Sequence, residues 1–173
     1  MWRVRTASAS RSATRLIRAF QRSSRSVKAS SRATVAASSG GGFPGLVLAI
    51  AARRPFHLVE SDRRKAAFLT EAAARLGLPH VQVHSTRIEA TRLPPLAALT
   101  ARALAPLCDL VPHAARLLAP GGIALFPKGR TAEDELTATL LHWKLRVMRF
   151  ASRTAPDATI FHLSEIRRDT PAD

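Results

Sequence analysis

Apolar positions follow two alternating rhythms along most of this chain. Short continuous runs, which suit buried strands, alternate with stretches whose apolar residues recur every three or four positions, which suit helices packed on one face. Leu46, Val47, Leu48 and Ile50 form a helix start behind Pro44, and Phe56, His57, Leu58 and Val59 form a short buried strand. Ser61 and Asp62 can cap a helix over 63–76, where Ala66, Ala67, Leu69, Ala73 and Leu76 make the apolar face and Gly77 supplies the stop. A strand is predicted at 81–83, a short helical turn at 86–91, and a strand at 97–101 after the break at Pro94-Pro95. A helix over 105–118 then reaches Pro120-Gly121-Gly122, which predicts a turn into the apolar strand 123–126. Strands alternating with helices through short connections imply a mainly parallel sheet covered on both faces.

The last third breaks that alternation. Thr131 to Glu135 opens a short helix, and the basic and apolar residues of 144–151 then alternate as in a half-exposed strand. A second strand is predicted at 159–166, beyond Pro156-Asp157. Two strands with no helix between them imply an antiparallel hairpin at one sheet edge, an ending unlike that of a dinucleotide dehydrogenase.

Candidate chemistry concentrates at the first turn of this pattern. Gly40, Gly42 and Gly45 fit G-x-G-x-x-G, and Glu60 stands 20 residues after Gly40, where the fingerprint places a ribose-binding acid. Glycines there allow backbone to approach a ligand closely, although a plain turn would use them too. The motif indicates an adenosine-containing cofactor and leaves NAD and S-adenosylmethionine both open.

Composition narrows the class. The 173 residues suffice for one folded unit with a tail, and a hydrophobic content of 46% excludes wholesale disorder. No apolar run approaches the roughly 18 residues of a membrane span. Cys108 is the single cysteine, and neither it nor the six histidines stand at metal-ligand spacing, so no metal is expected. The formal charge of +15 favours a polyanion such as nucleic acid. Residues 1–39 supply +9 of it, with eight Arg, one Lys, ten Ser and no acid. That segment has two readings: an organelle transit peptide, or coding DNA read in another frame. Either way it is expected to be disordered, since its few apolar residues cannot offset the entropy of ordering.

The glycine run Gly40 to Gly45 with Leu46, the strand end Leu58-Val59-Glu60-Ser61 with Lys65 and Phe68-Leu69, Ser85-Thr86-Arg87-Ile88-Glu89, Thr100-Ala101-Arg102 through Leu107, and Lys128-Gly129 occur in this order. Together, over about 39–168, they resemble the bacterial 16S (small-subunit) ribosomal RNA guanine-N7 methyltransferase family, also called glucose-inhibited division protein B. The resemblance implies a Rossmann-like α/β fold of the class I S-adenosylmethionine-dependent methyltransferases. It implies S-adenosyl-L-methionine as cofactor and 16S ribosomal RNA or the small ribosomal subunit as partner; a monomer in the cytoplasm without membrane attachment is expected.

The same resemblance implies cofactor contacts from Ser38, Gly40, Gly42, Phe43, Glu60, Ile88, Glu89 and Arg102, with Arg102 and Lys128 positioning the reactants. Phe43 could instead staple the helix, Glu89 could be a surface residue, Arg102 a structural ion pair, and Lys128 either a phosphate contact or a solvated cation. Guanine N7 carries a lone pair and no proton, so no general base is expected.

The chain also departs from the family. Ala36-Ala37-Ser38-Ser39 stands where relatives carry an acid and a leading glycine before the glycine run. The methyltransferase domain is accordingly expected over 40–173, without a normal first strand, since only Ala33 to Ala37 are available to form one. Two further functions stay open: an inactive copy that only binds RNA, and an NAD-dependent oxidoreductase.

Overall fold

A computed structural model describes residues 33–37, 42–52, 54–152 and 155–169, with backbone alone for 33–37 and for residue 52. Its strands are β1 (Ala33–Ala37), β2 (Phe56–Glu60), β3 (Val81–Ser85), β4 (Leu96–Ala101), β5 (Leu118–Lys128), β6 (Trp143–Ala151) and β7 (Thr159–Arg168). The helices are α1 (Gly45–Ala52), α2 (Arg63–Arg75), α3 (Leu107–Leu117) and α4 (Ala132–Leu140), with one 3-10 turn at Ile88–Ala90. The strands form a single sheet in the order β3-β2-β1-β4-β5-β7-β6. β1 to β5 pair in parallel, whereas β7 runs antiparallel to both β5 and β6. The predicted hairpin is therefore present at one edge.

Alternate residues on β2, β4 and β5 serve opposite faces, as the two-residue period of a strand requires. Ala98 and Leu125 join Phe56, Leu58, Leu46 and Leu69 on the α1/α2 side. Leu99 and Phe126 join Leu107, Leu110, Leu136 and Phe161 on the α3/α4 side. A sheet buried on both faces needs continuous apolar strands, and Leu96–Ala101 is buried at every position.

Two expectations change. The domain boundary drawn at residue 40 leaves out β1, yet that strand lies in the middle of the sheet, with Thr34 to Ala37 pairing to β2 on one side and β4 on the other. Alanine-rich strands bring little side-chain payload, but a central position lets the backbone pair on both sides. The expected disorder and targeting role of 1–32 and 38–39 lie outside the described residues.

The turn predicted at Pro120-Gly121-Gly122 is instead an irregularity within β5, which begins at Leu118. Leu96 pairs with Leu118 and Ala98 with Ile123, so β5 carries extra residues there. Gly121 takes φ +78, and a Cβ at Gly122 would stand 2.8 Å from the Leu96 carbonyl oxygen. Glycines permit this bulge and the strand continues through it.

Candidate functional site

Parallel register brings the carboxyl ends of β1 to β5 to one sheet edge, where ligands bind in open α/β folds. Glu60 ends β2 opposite Ser85 at the end of β3, and Ala37 ends β1 opposite Ala101 at the end of β4. Arg102 and Lys128 follow or close β4 and β5 at that edge.

Two clefts open there. The first, about 360 Å³, is lined by Glu60, Ser61, Arg87, Ile88, Glu89 and His113, among others. The second, about 540 Å³, is lined by Arg102, Pro127, Lys128, Glu135 and, from the β6–β7 connection, Ser152 and Ala158. Leu104 and Ala105 line both, so one short segment is the wall between them. A larger cavity of about 850 Å³ lies at the opposite end of the sheet, around Gly121, Trp143 and Arg167, and none of the predicted site residues lines it.

In the first cleft Glu60 is buried, with Oε1 accepting the Asp62 N–H at 2.9 Å. Asp62 in turn caps α2, accepting from the Arg64 and Lys65 N–H groups at 2.8 and 3.1 Å. Capping fixes the chain direction immediately after the acid and so fixes the acid. Ile88 is buried in the 3-10 turn, which Arg116 of α3 holds by donating to the Ile88 and Thr91 carbonyls at 2.7 and 2.9 Å. Glu89 is exposed and stands 3.6 Å from His113 Nε2.

The glycine loop is only partly described. Ser38 and Gly40 lie outside the described residues. Gly42 takes φ +77, and a Cβ there would meet Leu46 Cδ1 at 2.7 Å and Leu69 Cδ2 at 3.0 Å. Its demand for glycine therefore comes from packing α1 against α2, which differs from the expected approach of a ligand. The Phe43 side chain is 55% exposed.

In the second cleft the two expected cations part company. Arg102 is exposed and makes no ion pair among the described residues, so the alternative of a structural ion pair finds no partner there. Lys128 is occupied: its side chain is 9% exposed, and Nζ lies 2.7 Å from Glu135 Oε2 and donates to the Ala105 carbonyl at 2.6 Å. Neither a solvated cation nor a free phosphate contact matches that geometry. Burial pushes the Glu135 carboxyl up, but hydrogen bonds from Lys128, Thr131 and the Leu107 N–H outweigh it and hold the group below the ordinary glutamate range.

A family model described as rRNA small subunit methyltransferase G matches residues 13–155. The chain belongs to this family. The match begins inside the basic segment, so the family pattern extends further forward than the resemblance over 39–168. Ribosomal RNA small subunit methyltransferase G of Rhodospirillum centenum is 56% identical over 135 residues, covering 78% of this chain and 62% of that protein. Its counterpart in Granulibacter bethesdensis is 56% identical over 130 residues, covering 75% and 61%. The chain thus spans about three-fifths of the length of these methyltransferase G relatives. Among solved structures, an rRNA methylase from Streptococcus thermophilus matches with a TM-score of 0.62 at 12% identity, over 87% of this chain and 95% of that one. At that identity the likeness speaks for the fold, which is the class I methyltransferase sheet expected from the sequence.

Sequence reasoning within this family pattern missed Arg116, Glu135 and the Leu104–Ala105 wall. Glu135 reads as one of three acids in the first turn of a helix, a placement that the helix dipole alone explains. Its contacts to Leu107 and Lys128 lie 28 and 7 positions away, beyond any local pattern. Among the described residues no three His, Cys, Asp or Glu side chains converge as a metal site, and no helix is long and apolar enough to cross a membrane.

Proposed function

We propose that this chain is a cytoplasmic enzyme that uses S-adenosylmethionine to methylate a guanine N7 in 16S ribosomal RNA within the small subunit. The observation that carries the reading is the pair of clefts sharing one wall at the carboxyl edge of a methyltransferase sheet: two reactants can be held side by side. Family membership supplies the class of substrate.

The residues of the first cleft fit the cofactor. A buried carboxylate at a strand end offers acceptors for a ribose diol, the apolar Ile88 suits an adenine ring, and about 360 Å³ is within the range of small-ligand sites. Glu60 and Ile88 would hold the adenosine part, with Gly42 shaping the turn behind it. S-adenosylmethionine, when bound, supplies a methyl group activated by a sulfonium charge. Arg102, exposed in the second cleft and without an ion pair among the described residues, is available to orient RNA at that mouth. A nitrogen acceptor with a free lone pair asks the chain for position and electrostatics and for no proton transfer.

Charge distribution supports RNA approaching from this edge. On β6, Lys144, Arg146 and Arg149 pair with Asp169, Glu165 and Glu133. Arg63, Arg64, Lys65, Arg87 and Arg102, all just beyond the strand ends, carry no ion pair among the described residues and are exposed. Unpaired cations around a cleft favour a polyanion and steer it inward.

Calorimetric titration tests the cofactor. The wild-type chain is expected to bind S-adenosylmethionine and not NAD, and Glu60→Ala is expected to weaken binding by roughly tenfold or more, the worth of hydrogen bonds to a charged acceptor. Saturable NAD binding, or a Glu60→Ala variant with wild-type affinity, contradicts the assignment. Cofactor binding without any methyl transfer would favour an inactive RNA-binding copy.

A further inference from the structure

The segment between β4 and α3 is short, lines both clefts, and is held in an uncommon backbone shape. Ala103 takes φ +51, the left-handed region that side chains other than glycine rarely adopt. Such a conformation persists only where the surroundings over-determine it. Here the surroundings are specific. Glu135 Oε2 accepts the Leu107 N–H at 2.7 Å and faces Lys128 Nζ at 2.7 Å, while Lys128 donates to the Ala105 carbonyl at 2.6 Å. Glu135 Oε1 accepts from Thr131 Oγ1 at 2.9 Å, which fixes the carboxylate's own orientation. The α3 end of the segment, Ala105 and Leu107, is thus clamped by one ion pair from β5 and α4.

We infer that Glu135 is a positioning residue for methyl transfer: with Lys128 it clamps Ala105 and Leu107, and thereby sets Arg102 and the Leu104–Ala105 wall between the two clefts. The inference rests on the functional reading above. It gives Lys128 an indirect role, exerted through the wall and not through contact with RNA. The pair is largely withdrawn from water, with the lysine side chain 9% and the glutamate side chain 21% exposed. Removing one charge leaves the other unsatisfied, so the clamp fails as a unit.

In the full chain, Glu135→Gln keeps an oxygen for the Leu107 N–H and removes the charge facing Lys128. Methyl transfer to undermethylated small ribosomal subunits is expected to fall roughly tenfold or more, the scale of a small misplacement at a reacting site, with weaker S-adenosylmethionine binding alongside. Glu133→Gln, on the same helix but paired with Arg149, is expected to change neither. A general structural loss would multiply with the loss from Arg102→Lys, whereas a residue acting through Arg102 gives a double variant little worse than the poorer single one. Should Glu135→Gln fail to fold, Thr131→Val removes only the hydroxyl that orients the carboxylate and is expected to lower turnover about threefold with its melting temperature retained. Wild-type turnover in the folded variant, or losses that multiply in full, overturns the inference alone. A wild-type chain that binds no S-adenosylmethionine overturns the functional reading and the inference with it.

Discussion

Gly42 shows how a motif residue can be required for reasons other than the motif's usual one. A ligand-binding glycine leaves open space where its Cβ would be, but at Gly42 that space is occupied by Leu46 and Leu69. Positive φ adds a backbone cost to the steric one, so Gly42→Ala is expected to lower stability by about 1–3 kcal/mol, read from urea denaturation. An unchanged midpoint would mean that the α1–α2 contact yields without cost. Glu60 was readable from sequence because its two determinants are local: it ends an apolar run, and the Asp62 that fixes it is two positions away. Lys128 was not, because its position at a strand end says nothing of a glutamate on the next helix or a carbonyl 23 residues earlier. Only the folded chain brings those groups together.

At the scale of elements, β2 and β3 carry a paired feature. His57 Nδ1 and His84 Nε2 lie 3.0 Å apart across the parallel register. Burial lowers the pKa of both, and the neighbouring His84 lowers that of His57 further. His162 on β7 is also lowered by burial. A depressed histidine is neutral in the folded state, so the unfolded chain binds more protons between the folded pKa and 6.5. Stability is therefore complete above 6.5 and declines as pH falls below it toward the depressed values. Melting temperatures measured from pH 7.5 downward are expected to show this decline, and His57→Gln/His84→Gln to flatten it, with His162 retaining the remainder. Equal slopes in wild type and double variant would contradict the pairing.

The element most legible in the sequence from residue 45 onward is α2, which combines a clear period with a cap and a stop: Asp62 opens it, and Gly77 with φ +64 follows its end. β1 is hard to see in the sequence because a run of alanines carries no strong strand signal, although central pairing recruits it. Pro120-Gly121-Gly122 predicts a turn as readily as the bulge that β5 forms, because Pro-Gly-Gly serves both structures. Its continuation into the sheet depends on β4 alongside, which is tertiary information.

For the molecule as a whole, Lys144, Arg146 and Arg149 on β6 are paired with acids, whereas Arg167 and Arg168 on β7 and the cations beyond the carboxyl ends of β2, β3 and β4 are without ion pairs among the described residues, the latter group lying around the clefts. The same edge gathers the glycine turn at Gly42, the buried Glu60 and the wall between the two cavities. Under the proposed function a single surface would serve cofactor and RNA, and catalysis would be a matter of holding both. The most direct test is transfer of a tritiated methyl group from S-adenosylmethionine to small ribosomal subunits lacking this modification, with the labelled base identified. Label at a guanine N7 with the wild-type chain, and none with a folded Arg102→Ala variant, is the predicted result. No incorporation by a folded wild-type chain, or near-normal turnover by Arg102→Ala, would contradict it.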